Sequence, residues 1–187
     1  SNWIAQSEWA QSLGQELFGL DQRIPPPRFA SRTFRQQCAT ATSSAAGEST
    51  SAMRTTSLVR ESLLAPASAG IPSRVPANDR SIVFFVDTWT NCFTPQVGIA
   101  AVRILEALGY RVIVPPTVCC GRPLISLGLL DEAQRLAQRN AALLESYAEK
   151  NIPIVGVEPS CVFTLTDEFP QLVRTGAARR IASSALT

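Results

Sequence analysis

The chain has 187 residues, of which 45% are hydrophobic, and this is enough for one medium-sized domain with a real core and an appendage. The net charge is only +2, and the positive residues are sixteen scattered arginines and the single lysine Lys150, a distribution that gives little support to nucleic-acid binding. The complete absence of histidine excludes, within this chain, Ser-His-Asp triads, Cys-His couples and zinc or haem sites held by histidine.

Residues 1–79 are predicted to form an N-terminal arm and a linker. Apolar residues recur at helical spacing over 3–20, and consecutive prolines predict an extended segment over 23–29. From 38 to 79 the composition shifts to Ser, Thr, Ala and Gly, which is typical of a linker, with one short helix over 56–64. We expect the arm to cover the core or to join it to a preceding domain.

Residues 80–187 are predicted to form the compact domain, an α/β fold with a small parallel sheet. Short runs rich in β-branched and aromatic residues predict three strands, at 81–87, 111–114 and 152–157. Helical spacing predicts a helix that Thr94 caps and Gly109 ends, and a second helix over 133–147. Strands that alternate with helices of this length indicate βαβ units with right-handed crossovers.

The end of the chain is predicted to be helical. A short helix is expected over 162–167, and Pro170 is expected to break it. A final helix is predicted over 171–185. No run of apolar residues approaches the roughly 18 to 20 residues of a membrane span.

Four of the five cysteines follow the predicted strands at nearly the same offset. Cys92 and Cys119 each come five residues after a strand, Cys120 is adjacent, and Cys161 comes four residues after the third strand. Because parallel strands end at one edge, where open α/β sheets bind their ligands, we expect these thiols to gather there. Such wide spacing is unlike a zinc ribbon or a ferredoxin, so the fold must bring the ligands together.

Converging thiolates suit an iron–sulfur cluster or zinc, because both prefer soft sulfur ligands. The alternative is that these cysteines are small buried residues, since free cysteine is among the most buried residue types. An odd number of cysteines with no visible secretory signal favours a reducing compartment, and we therefore expect a cytoplasmic location.

Three charged residues are predicted to lie beside the thiols. Asp87 and Glu158 end the first and third predicted strands, and Arg122 follows the adjacent cysteines. Either carboxylate could pair with Arg122 or accept hydrogen bonds from loop amides. The arginine could instead offset thiolate charge or bind a substrate carboxylate.

Three segments resemble the cysteine-rich CCG domain: DTWTNC at 87–92, CCGRPLIS at 119–126 and EPSC at 158–161. That domain occurs in one of the subunits of heterodisulfide reductase, in iron–sulfur subunits of glycolate oxidase and anaerobic glycerol-3-phosphate dehydrogenase, and in fused FAD-linked oxidases. The likeness is closest to the fused enzymes, which join a flavin domain, a ferredoxin-like domain and one CCG domain. Their linker is similar to residues 17–29 of this chain.

The resemblance implies an electron-transfer domain of a flavin-linked oxidoreductase that acts on a 2-hydroxy acid or glycerol phosphate. The family's iron–sulfur cluster ligands would correspond to Cys92, Cys119, Cys120 and Cys161. Thr164 stands where the family often has the second cysteine of C-x-x-C, and only one CCG copy is present, so zinc and no metal remain open. A metal-free scaffold that docks the other domains is the alternative function.

The resemblance also implies the partners. These are flavin and ferredoxin-like domains or subunits of the same oxidoreductase, with FAD held only in those other parts. We expect neither nucleic acid nor a membrane span, but peripheral association with a membrane through the partners is compatible with the resemblance. No catalytic residue is assigned within the chain.

Overall fold

The structure, a computed structural model, describes residues 2, 6–18, 21, 26–43 and 80–186. Two helices precede the sheet: α1, Glu8–Phe18, and α2, Phe34–Ser43. The first lies within the helix predicted over 3–20. The short helix predicted over 56–64 lies outside the described residues, as does the linker prediction for 44–79.

The sheet has three parallel strands in the order β2-β1-β3. They are β1, Ser81–Phe84, β2, Arg111–Ile113, and β3, Ile154–Val155. Val83 of the central strand is opposite Ile113 on one side and Ile154 on the other. The α/β fold with a small parallel sheet is therefore confirmed, although each strand is shorter than predicted.

Helices connect the strands and follow the last one. They are α3, Thr88–Cys92; α4, Pro95–Ala107; α5, Arg122–Ser126; α6, Leu130–Ala148; α7, Pro159–Phe163; α8, Phe169–Val173; and α9, Gly176–Ser184. The helices predicted from Thr94 to Gly109 and over 133–147 correspond to α4 and α6. No helix in the described part of the chain is long and apolar enough to cross a lipid bilayer.

Alternate residues of β1 enter two different core clusters, because successive side chains of a strand point to opposite faces. Val83 belongs to a cluster formed mainly with α6 to α9. Ile82 and Phe84 belong to a second cluster formed with α2, α4 and β2. The sheet is thus covered by helices on both faces, as expected for a parallel sheet.

Helix α2 contributes directly to the second cluster. Phe34 is fully buried, and its ring lies with its centroid 5.8 Å from that of Phe84. The prediction of a linker from residue 38 onward was therefore wrong for residues 38–43, which are helical. The composition of this helix is polar, so its periodicity is weak, and tertiary packing of Phe34 and Cys38 stabilises it instead.

Pro170 does not end the helix that follows β3, contrary to the prediction. A π-helical turn, Thr164–Glu168, joins α7 to α8, and the Phe169 N–H donates to the Thr164 carbonyl. Pro170 then falls in the first turn of α8, where a missing N–H is tolerated. The break comes at Arg174, whose φ is 56°, and Thr175 caps α9.

We expect Phe34→Ala to lower the free energy of unfolding by about 3 to 5 kcal/mol, because it removes a fully buried ring from the second cluster. The measurement is denaturant unfolding followed by circular dichroism. Phe163→Ala is the matched control, since the Phe163 side chain is 45% exposed and its loss should cost much less. Equal losses in the two variants would mean that α2 is not part of the cooperative domain.

Candidate functional site

The loop that carries Cys119 and Cys120 is fixed by a buried asparagine of α6. Asn140 is fully buried, and its side-chain amide donates to the carbonyls of Val118 at 3.2 Å and Cys119 at 3.1 Å. Its Oδ1 accepts a hydrogen bond from the Val118 N–H at 2.9 Å. Three bonds from one rigid side chain therefore set the position of the cysteine pair relative to the longest helix.

Backbone amides point at the two sulfurs immediately after this loop. The backbone amide of Gly121 acts to lower the pKa of Cys119, and the backbone amide of Arg122 acts to lower the pKa of Cys120. Gly121 has a φ of 91°, a conformation that residues with a Cβ rarely adopt, and it caps α5. The glycine of the CCG segment is thus required for the turn that brings both amides to the thiols.

Cys161 approaches Cys120 from the other side. The two sulfurs are 2.9 Å apart, although 41 residues separate them in sequence. Cys161 lies in α7, whose N-cap is Glu158, and the Glu158 Oε1 accepts from the Ser160 N–H at 3.3 Å and from its hydroxyl at 2.8 Å. Glu158 therefore holds the first turn of the helix that presents Cys161.

Cys92 is the last residue of α3. Asp87 is only 2% exposed and caps this helix, because its Oδ1 accepts from the Thr90 N–H at 2.8 Å. The Thr88 side chain hydrogen-bonds to the Cys119 thiol, and Cys92 follows Thr88 by four residues on the same helical face. The Cys92 sulfur accepts from the Asn91 side-chain amide at 3.6 Å.

The pairing considered for Arg122 with Asp87 or Glu158 is wrong. Arg122 forms an ion pair of 2.6 Å with Glu168 in the π-helical turn. Asp87 and Glu158 instead cap the two short helices that carry Cys92 and Cys161. The carboxylates position the site through backbone amides, because the charge of the arginine is neutralised elsewhere.

The environment of the cysteine pair favours the protonated thiols. The thiol hydrogen bond with Cys120, followed by burial, raises the pKa of Cys119 well above its ordinary value of 9.0. For Cys120 the contact with Cys119 lowers the pKa, but the contact with Cys161 and burial together raise it to about 11. Cys119 and Cys120 are therefore largely uncharged thiols at neutral pH.

The N-terminal arm also holds the site. The Arg35 guanidinium donates to the carbonyl of Pro115 at 2.8 Å and to the carbonyl and hydroxyl of Thr117, in the stretch just before Cys119. The Arg35 N–H donates to the Asn91 side chain at 3.2 Å, next to Cys92. One residue of α2 therefore connects two of the cysteine-bearing segments.

Cys38 is not an exposed thiol of a loose arm. It is half-buried in α2 and packs against the second core cluster. Burial raises its pKa, although nearby Arg35 lowers it in part. The pKa of Cys38 is raised because the helix that carries it is docked on the sheet.

No three or more Cys, Asp or Glu residues in the described ranges are already arranged around a common metal position. Sulfurs that share a tetrahedral zinc at about 2.3 Å would lie about 3.8 Å apart, which exceeds the 2.9 Å between Cys120 and Cys161. The soft donors suit zinc or an iron–sulfur cluster, and binding either would require these two sulfurs to move apart.

Two positioning residues, Asn140 and Arg35, were not identified from the sequence. The signal for Asn140 was a polar residue on the apolar face of a long helix, between Ala137 and Leu144. Arg35 gave no such signal, because its partners are backbone carbonyls about eighty residues away.

Comparison with known proteins finds similarity over residues 86–166 and their surroundings. Residues 86–166 match the family model described as a cysteine-rich domain, CCG. Over 94 residues, 49% of this chain, the sequence is 33% identical to one of the subunits of the anaerobic glycerol-3-phosphate dehydrogenase of Escherichia coli K12. Over 91 residues, 48% of the chain, it is 37% identical to one of the subunits of the fumarate reductase (CoM/CoB) of Methanothermobacter marburgensis.

One of the similar proteins also aligns with the N-terminal arm of this chain. Over 178 residues, 95% of this chain, the sequence is 24% identical to the D-2-hydroxyglutarate dehydrogenase of Pantoea ananatis. The aligned regions cover 24%, 18% and 15% of these three relatives, so the chain corresponds to a minor part of each. No solved structure was found to be significantly similar.

We expect Asn140→Leu to lower the free energy of unfolding by about 2 to 4 kcal/mol, because buried loop amides and carbonyls lose their partners. Asn140→Asp should cost at least as much, since it buries a carboxylate whose second oxygen faces the Val118 and Cys119 carbonyls. Gln138→Leu, on the exposed side of α6, is the control. Denaturant titration measures all three, and a neutral Asn140→Leu would contradict the positioning role.

Stability should depend on pH above 9. A thiol whose pKa is raised on folding contributes stability below its unfolded value, and this is lost as pH rises through the folded value. For Cys120 the window runs from 9.0 to about 11. We expect the free energy of unfolding to fall more steeply there in the wild type than in Cys120→Ser, measured by urea titration at a series of pH values under reducing conditions. Parallel curves would contradict burial of a protonated thiol.

Proposed function

We propose that this chain, whose residues 86–166 match the model of the cysteine-rich domain family, is an electron-transfer domain of a flavin-linked oxidoreductase and binds an iron–sulfur cluster. The observation that carries the proposal is the contact of 2.9 Å between Cys120 and Cys161, which brings two distant cysteine segments together. The relatives named above are oxidoreductases or their subunits, which supports the same class of function.

Cys119, Cys120 and Cys161 would supply three ligands, and Cys92 would supply the fourth. Support for Cys92 comes from α3, since Thr88 one turn earlier already contacts Cys119. A bound cluster would accept and release single electrons. Zinc held by the same thiolates would be structural, because zinc does not change its oxidation state.

The chain's own residues would tune such a site. The amides of Gly121 and Arg122 lower the pKa of two of the thiols and would stabilise their negative charge. Cys120 is nearly fully buried, which limits access of water and oxidants. The ion pair between Arg122 and Glu168 links the amide-bearing turn to the helix of Cys161.

The partners would be the flavin and ferredoxin-like domains or subunits of the parent enzyme. Half-exposed aromatic rings adjoin the cysteine segments: Trp89 of α3 stacks on Phe93 with ring centroids 4.6 Å apart, and Phe93 stacks on Phe29 of the arm. Such a surface is suited to contact with another domain. The substrate would be a 2-hydroxy acid or glycerol phosphate, bound and oxidised at the flavin outside this chain. Reduced thiols are consistent with a cytoplasmic location.

A metal-free scaffold that docks these partners is the second candidate. It is favoured by the close Cys120–Cys161 contact, which leaves less space than shared metal coordination needs, and by the raised pKa of Cys119, since ligands must be deprotonated. The two functions predict different metal contents for the purified chain.

Anaerobic reconstitution with iron and sulfide should give stoichiometric iron and visible charge-transfer absorption. Replacing Cys92, Cys119, Cys120 or Cys161 singly by serine should lower the iron content by at least about half, because each loses a soft ligand. Cys38→Ser is the matched control and should retain the full content. Iron and sulfide analysis with electron paramagnetic resonance measures the outcome.

Retention of zinc but no iron would replace the electron-transfer proposal by a structural zinc site. Absence of both metals, with binding to the partner domains intact, would favour the scaffold. A loss of iron equal in Cys38→Ser and in the other four variants would show that iron binding is nonspecific.

A further inference from the structure

A cationic cleft lies at the edge of the sheet opposite the thiols. Its volume is about 900 Å³, and its wall includes the first residues of two strands, Ser81 and Arg111, and Pro153 just before the third. From there it runs along the outer edge of β2 to Pro115 and Pro116. The size is within the range of small-molecule sites.

The lining of this cleft is chemically one-sided. It contains Arg80, Arg111 and Lys150, which is the only lysine of the chain, and among the described residues it contains no carboxylate. Both tyrosines of the chain, Tyr110 and Tyr147, also line it. Cationic groups and phenol hydroxyls converging on one concavity favour an anionic ligand.

The nearest acidic residues on α6 do not neutralise the cleft. Arg180 of α9 pairs with Glu145 at 2.9 Å and with Glu149 at 3.3 Å. The acids that flank Tyr147 and Lys150 in sequence are thereby bound by a different cation. A smaller cleft of about 320 Å³ shares Asn151 and Pro153 with the first and adds Arg179 and Ser183.

The wall also provides flat surfaces. Arg80 lies over the Tyr110 ring at 5.9 Å from its centroid, and Tyr147 lies with Pro115, Pro116 and Pro153 in the same lining. The guanidinium of Arg111 donates to the Ser81 hydroxyl at 2.6 Å, which holds one cation in place. The ligand should therefore combine a planar ring with two or more acidic oxygens.

We propose that this cleft binds a nucleoside diphosphate or a closely similar phosphorylated ring compound. Its phosphate oxygens contact Arg80 and Lys150, and its ring packs on the tyrosine and proline wall. The site is separate from the cysteines, which lie at the carboxyl ends of the strands, and binding requires neither metal nor thiols.

The unique lysine allows a direct test. The full chain is acetylated with an N-hydroxysuccinimide ester, and the rate at Lys150 is followed by peptide mass spectrometry with ADP, adenosine or inorganic phosphate present. ADP should slow acetylation of Lys150 about fivefold or more, and adenosine or phosphate at the same concentration should have much smaller effects. Acetylation of the terminal amine is the internal control.

Calorimetry with ADP gives the second readout. The double variant Arg80→Gln, Lys150→Gln should bind about tenfold or more weakly, since it loses two charge-assisted hydrogen bonds to the phosphates. The control Arg103→Gln, Arg139→Gln removes the same charge at exposed positions outside the cleft and should bind like the wild type.

Equal weakening in both double variants would overturn the proposal in favour of a net-charge effect. Equal protection by phosphate and ADP would overturn the role of the ring. No protection by ADP, together with binding to vesicles of anionic phospholipid, would assign the surface to a membrane instead. Iron binding is measured separately, so a failure here leaves the proposed electron-transfer function unaffected.

Discussion

The three hydrogen bonds of the buried Asn140 side chain are the constraint on which the thiol site depends. The strands have only two to four residues, so the sheet by itself does little to fix the loops at its edge. The 19-residue helix α6 provides a rigid base, and Asn140 transfers that rigidity to Val118 and Cys119. Because Asn140 holds the loop in one position, the Cys120 sulfur lies next to the Cys161 sulfur.

The opposite side of the site depends on the arm. Phe34 anchors α2 in the core, and Arg35, the next residue, binds the carbonyls of Pro115 and Thr117. The backbone of Ala30 also donates to the Cys92 carbonyl at 2.7 Å. Burial of one ring therefore determines the geometry of two cysteine-bearing segments, and a stability defect in the arm would also appear as a defect in the site.

Much of the fold was predictable because it rests on local patterns. The strand at Ser81, the start and end of α4, and the position of the cysteines after the strands follow from periodicity and turn chemistry, although the Thr94 side chain makes no capping hydrogen bond. The partner of Arg122 was not predictable, because Glu168 reaches it through a π-helical turn that no simple periodicity encodes. Docking of α2 depends on tertiary contacts of Phe34. It was not predictable because the other residues of α2 are mostly polar and give the helix no clear apolar face.

The π-helical turn Thr164–Glu168 has a consequence for helical phase. One extra residue in a helix advances all later side chains by about 100° around the axis. The turn begins at Thr164, whose hydroxyl donates to the Ser160 carbonyl at 2.8 Å, and it is followed by the fully buried Phe169. A chain one residue shorter here would keep Cys161 in place but rotate Phe169 out of the core, so the lengths of the two halves of this helix are coupled.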